Sequence, residues 1–132
     1  MIEKTLKNYS ERHVDLLFTV GGTGISARDV TPEAMHKVID RELPGLAEVM
    51  RATSAQQTPH AWLSRALVGV YRATLIVNLP GSLRGATENL HAILSLLPHA
   101  VKMLRGDTAH PENDRARQVT LTNATHSAEP RP

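Results

Sequence analysis

Two places in the chain put glycine at the end of an apolar run and just ahead of a helical pattern. Gly21-Gly22-Thr23-Gly24 follows Leu16-Leu17-Phe18-Thr19-Val20, and Pro80-Gly81-Ser82 follows Leu75-Ile76-Val77-Asn78-Leu79. Without a Cβ, glycine lets backbone N–H groups approach an oxyanion, and a helix starting nearby turns its positive end toward the same charge. In open α/β sheets, ligands sit beyond the carboxyl ends of strands, where such turns collect. The chemistry this suits is capture of a phosphate. A single glycine loop serves equally well as a plain tight turn.

The first break continues into Arg28-Asp29 and then Thr31-Pro32-Glu33. A carboxylate beside a bound phosphate is repelled in a low-dielectric cleft unless a cation joins them. A hydrated Mg²⁺, held by one or two carboxylates and phosphate oxygens, is the usual solution. Asp29 is therefore a candidate metal ligand and Arg28 a candidate bidentate clamp. With no ligand, the same pair reads as an outer capping acid and a solvated side chain. The spacing matches neither a Walker loop nor the dinucleotide fingerprint.

Ser64-Arg65 could reach an anion or sit in a solvated turn. Ser64 and Ser82 lack a Gly-x-Ser-x-Gly elbow, so acyl transfer is not indicated. The seven histidines show no zinc-ligand spacing, and the absence of cysteine excludes thiolate sites and disulfides. Met35, Met50 and Met103 read as core filler. Trp62 reads as packed or lining a cleft.

These residues need elements to position them. Ile2, Leu6 and Tyr9 have helical spacing. Nothing ahead of Ile2 could cap that helix. The run at residues 15–20 reads as a buried strand. A strand entered from a helix implies an α/β layer whose parallel partner lies upstream, so a first strand is expected to be missing. Thr31 reads as a hydroxyl N-cap with Pro32 at the first helical position. Leu43-Pro44-Gly45 reads as the stop of that helix, and Asp40-Arg41-Glu42 as its charged end. Further helices are expected at residues 46–52 and 61–65. Strands at 67–71 and 74–78 form either a hairpin or adjacent neighbours. A long helical pattern then runs through Leu90, Ile93 and Leu97, is kinked or restarted at Pro98, and stops at Gly106.

With 132 residues, the chain has room for one domain. Its 15 Lys/Arg against 13 Asp/Glu give an excess of only +2, too small to imply a nucleic-acid or membrane surface. The apolar runs are too short to cross a membrane and the N-terminus carries no signal core, so a cytoplasmic protein is expected. From Gly106 onward the large apolar residues are only Val119 and Leu121. Residues 1–106 are therefore assigned to the domain and 107–132 to a flexible tail.

The stretch from Gly21 to Ala34, Gly-Gly-Thr-Gly-Ile-Ser-Ala-Arg-Asp-Val-Thr-Pro-Glu-Ala, closely resembles the signature of the molybdenum-cofactor-biosynthesis domain of the MogA, MoaB and gephyrin G-domain type. Asp40-Arg41-Glu42-Leu43-Pro44-Gly45, Leu63-Ser64-Arg65-Ala66 and Asn78-Leu79-Pro80-Gly81-Ser82 follow in the family's order. The resemblance implies a three-layer α/β/α sandwich with a mostly parallel sheet, usually trimeric, that binds molybdopterin and ATP. It implies Mg²⁺-dependent transfer of AMP to the molybdopterin phosphate with release of pyrophosphate. On this pattern Gly21, Gly22, Thr23 and Gly24 would hold phosphate and Asp29 would be the catalytic, metal-binding acid. Arg28, Ser64, Arg65, Pro80, Gly81 and Ser82 would line the substrate side. Members begin with a further strand and helix and an upstream acidic segment, for which no match precedes Met1. The expected consequence is an exposed sheet edge and a two-carboxylate site reduced to one. A non-catalytic molybdopterin- or phosphate-binding or scaffold module is the alternative to an enzyme.

Overall fold

Leu16–Val20 (β1) and Thr74–Leu79 (β4) lie side by side in parallel, Leu16 opposite Leu75 and Val20 opposite Leu79. Both runs are covered on both faces, which is why they read as continuous apolar segments rather than alternating ones. The computed structural model describes residues 1–106 and, for the backbone alone, 119–123. The remaining elements are helix α1 (Ile2–Ser10), α2 (Thr31–Val38), strand β2 (Arg41–Glu42), α3 (Pro44–Ala55), a 3₁₀ turn (Pro59–Leu63), β3 (Val68–Tyr71), α4 (Leu83–Ile93), α5 (Leu97–Arg105) and β5 (Val119–Asn123).

The sheet order is β2-β3-β4-β1-β5. Strand β1 is parallel to both β4 and β5, whereas β2–β3 and β3–β4 are antiparallel. The three-layer α/β/α class is the one expected. The sheet is mixed, with its parallel part confined to β4, β1 and β5. Alternate residues feed two cores. Phe18, Leu75, Val77 and Leu79 pack with Met50 of α3, Ile93 of α4 and Leu97 of α5. Leu17 and Ile76 pack on the opposite face with Leu6 of α1 and Met35 and Val38 of α2. Burying a side chain of this size contributes about 1.5–3 kcal/mol. The ion pair between Arg105 and Asp15, both nearly buried, fastens the end of α5 to the start of β1.

Several local expectations are corrected. Thr31 is the first residue of α2 and not its cap; its hydroxyl donates instead to the Gly21 carbonyl at 3.0 Å. Helix α2 ends at Val38, and Leu43-Pro44-Gly45 opens α3, with Pro44 at the first helical position. Arg41-Glu42 is a short strand on β3 rather than a helix end. The β3–β4 pair is a hairpin whose turn holds Arg72 at φ 56°, and the Arg72 N–H donates to Asp40 Oδ2 at 2.7 Å. Helix α5 closes on Gly106 at φ 71°, as the sequence predicts.

The edge of β1 expected to stand open is paired with β5, Leu16 opposite Val119 and Val20 opposite Asn123. These five residues were assigned to the flexible tail. Averaged composition hid a Val-Thr-Leu-Thr alternation of β-branched and apolar residues, a strand pattern in its own right. The rest of the assigned tail, 107–118 and 124–132, lies outside the described residues.

Candidate functional site

The in-register pairing of β1 with β4 brings their two glycine breaks together. The Gly21 N–H donates to the Leu79 carbonyl at 2.9 Å, and a methyl added to Gly81 would sit 3.4 Å from Gly21 Cα. Gly21 and Gly22 have φ of 95° and 72°, conformations that exclude most side chains. A methyl on Gly22 would also collide with the Thr31 hydroxyl. The first break is thus a built turn, fixed from below by a buried threonine.

Four successive carbonyls of this loop are held. Thr31 Oγ1 and Thr31 N–H donate to Gly21 and Gly22, at 3.0 and 3.1 Å. The Arg65 N–H donates to Thr23 at 2.8 Å and Arg65 Nε to Gly24 at 2.8 Å. Among the described residues, the N–H groups of Gly22, Thr23, Gly24 and Ile25 meet no acceptor. Successive free amides of this kind form an anion-binding concavity.

Beside the loop lies a cleft of about 490 Å³. Of the residues expected at the site, Thr23, Gly24, Ser64, Pro80 and Ser82 line it. Ser82 Oγ caps α4 by accepting from the Gly85 N–H at 3.0 Å, so its role begins with the helix. Gly21, Gly22 and Gly81 form the turn beneath and do not line the cleft. Arg28 is exposed, and its backbone N–H donates to Ser26 Oγ at 3.3 Å.

Asp29 packs on Gly24, where a methyl would sit 2.7 Å from Oδ2, and the same oxygen accepts from the Ser26 N–H at 3.0 Å. Among the described residues no three histidine or acidic side chains converge. Of the two acids between Gly21 and Ala34, Glu33 is engaged by Arg65, and Asp29 keeps Oδ1 uncommitted for a divalent cation. That donor set fits Mg²⁺ held largely by phosphate and water, and does not fit a closed protein cage.

Arg65 makes three further contacts that its sequence neighbours did not announce. Nη2 donates to the Asp29 carbonyl at 2.6 Å, and Nη1 and Nη2 donate to the Glu33 carboxylate at 2.5 and 3.3 Å. The paired guanidinium holds the Glu33 carboxyl below its ordinary value of 4.5, and Glu33 in turn raises Arg65.

The cleft also draws on residues not singled out from the sequence. Arg51 Nη1 donates to the Ala66 and Ser64 carbonyls at 2.8 and 3.3 Å, tying α3 to the segment before β3. Asn89 Nδ2 donates to Ser54 Oγ at 2.6 Å across α4 and α3, both residues buried. A signal for Asn89 was present: it falls on the apolar stripe of Ala86, Leu90 and Ile93, where a polar residue needs a reason. Trp62, 60% exposed, neither packs in the core nor lines the cleft.

Comparison with known proteins matches residues 1–99 to a family described as a probable molybdopterin-binding domain. The molybdopterin adenylyltransferase of Helicobacter pylori is 44% identical over 108 residues, covering 81% of this chain and 61% of its own length. Gephyrin of Dictyostelium discoideum is 37% identical over 88% of this chain and 16% of its own length. The crystal structure of the molybdopterin biosynthesis enzyme MoaB from Thermus thermophilus superposes with a TM-score of 0.75 at 51% identity, covering 80% of this chain and 67% of that one. The chain therefore spans about three-fifths of the curated bacterial relative and a small part of gephyrin.

Proposed function

The chain belongs to this family of molybdopterin-binding domains, and from that membership we propose that it adenylylates molybdopterin in molybdenum-cofactor biosynthesis, using ATP with Mg²⁺. The observation that carries the reading is the row of free amides at Gly22, Thr23, Gly24 and Ile25, opening beside a cleft sized for a heterocycle. An oxygen of the molybdopterin phosphate displaces pyrophosphate from the α-phosphorus of ATP. Such transfers ask the protein for positioning and charge neutralisation more than covalent chemistry.

In this reading the loop amides receive phosphate, Ser82 and the first turn of α4 line the cleft, and Asp29, outside the lining, lends its carboxylate to the cation. Mg²⁺, when bound, neutralises phosphate charge. Ser64 and Pro80 shape the cleft, and Arg28, exposed and likewise outside the lining, would clamp the ligand's anionic end. The test is formation of adenylylated molybdopterin and pyrophosphate from molybdopterin, ATP and Mg²⁺. Asp29→Asn is expected to lower kcat by about 10²-fold. Equal turnover by Asp29→Asn would remove that residue from the mechanism.

One observation admits a second reading. With Glu33 committed to Arg65, Asp29 is the loop acid left for a cation, and a non-catalytic molybdopterin- or phosphate-binding scaffold accommodates that arrangement as well as an enzyme does. Calorimetry showing molybdopterin binding, with no AMP-transfer product from the same sample, selects the scaffold. Product formation selects the enzyme. The homotrimer and the cytoplasmic setting belong to the same proposal; among the described residues no helix is long and apolar enough to cross a membrane.

A further inference from the structure

Resting on the reading that this cleft receives a phosphorylated ligand, we propose that Arg65 is a positioning residue that aims the loop amides at the phosphate and does not touch the ligand. In a planar trans peptide the C=O and N–H point to opposite sides. Holding the Thr23 and Gly24 carbonyls therefore turns the N–H groups of Gly24 and Ile25 away from Arg65. Gly24 and Ile25 line the cleft, whereas Arg65 does not. The Arg65 backbone N–H fixes the first of these peptides and Nε the second, at 2.8 Å each.

The guanidinium is committed to the protein rather than to a ligand. All three of its nitrogens are engaged, with the Gly24 carbonyl, the Asp29 carbonyl and both oxygens of Glu33. The fork joins both ends of the loop segment from Gly24 to Asp29 to the first turn of α2. A lysine ammonium, a point donor on a flexible stem, cannot span these three acceptors while keeping their peptide planes fixed. Arg65 thus does for Gly24 and Ile25 what Thr31 does for Gly22 and Thr23.

The test is a titration of the full chain with inorganic pyrophosphate, and separately with molybdopterin and its dephosphorylated form, following backbone amide resonances. In the wild type, the Gly24 and Ile25 amides shift with pyrophosphate. Arg65→Met and Arg65→Lys keep the backbone N–H on Thr23 but lose Nε on Gly24. They are expected to abolish the Ile25 shift while the Gly24 shift persists, and to weaken molybdopterin binding about tenfold or more, leaving the dephosphorylated form bound as before. Glu33→Gln, which keeps arginine but loosens its anchor, is expected to fall between, with an undisturbed spectrum elsewhere. Retention of the Ile25 shift in Arg65→Lys would make Arg65 a mere charge. Equal weakening for both pterins would make it a mere structural support. Either result overturns the proposal. If the wild type shows the pyrophosphate shifts but ignores molybdopterin, the functional reading fails and the positioning role stands. If the wild type shows no shifts at Gly24 and Ile25, the positioning role fails.

Discussion

Glu33 and Arg65 stand 32 positions apart in sequence and meet as a forked ion pair on the outer side of the glycine loop. The pair is well exposed, so its direct contribution to stability is small, and its effect is on loop geometry. The hydrogen bond from Arg65 depresses the Glu33 carboxyl below 4.5 in the folded protein. A depressed folded-state value means the stabilising contact is fully present above the unfolded value and is lost as pH falls through the folded one. Carbon-detected NMR titration should place the Glu33 transition below 4.5 in the wild type, moving up toward it in Arg65→Met. An unmoved transition would mean the pair does not form in solution. Nothing in the order of residues announced this contact. Ser64-Arg65 read locally as either an anion contact or a solvated turn, and only the return of the chain past the loop shows where its donors go.

Among the elements, β4 is joined to its surroundings by two polar side chains, Thr74, whose Oγ1 donates to the Val14 carbonyl at 2.6 Å, and Asn78. Asn78 is fully buried; Nδ2 donates to Thr19 Oγ1 of β1 at 2.9 Å, and Oδ1 accepts from the Leu67 N–H at 3.1 Å. Asn78→Leu keeps the volume nearly constant but strips a half-buried N–H and a buried hydroxyl of their partners. Chemical denaturation should show a loss of about 1–3 kcal/mol; a neutral result would mean the two strands are held by packing alone. At this scale the sequence was most informative. The runs at 15–20 and 74–79, the Pro32 helix start and the Gly106 stop were all legible, because period, proline and glycine act locally. The hairpin was one of two arrangements the sequence allowed, whereas the short β2 was not legible, since a two-residue strand is defined by its partner β3 rather than by its own residues. Pro44 misled for a similar reason: proline both stops one helix and opens the next, and here the second role holds.

For the whole molecule, the decisive feature is how β1 acquires neighbours on both sides. One is β4 and the other β5, and a chain ending at Gly106 would lose the second. Such a variant should melt lower by at least about 4–8 °C, the shift that 1 kcal/mol produces in a domain of this size. It should also scatter light increasingly with concentration, since β1 would present an unpaired edge. Unchanged melting and scattering would show that β5 contributes nothing to the fold. The three-layer architecture was legible from the order of apolar runs and helices, whereas the partner of β1 was hidden by a polar, proline-containing context.

The same pairing sets a timetable for biosynthesis. About a hundred residues separate the two strands, so at ribosomal speeds of roughly 5–20 residues per second the first waits on the order of 5–20 s for the second. Through that interval the nascent chain carries a half-finished hydrogen-bonding ladder. Chaperone capture during translation should therefore concentrate on this stage and end once Asn123 has cleared the exit tunnel.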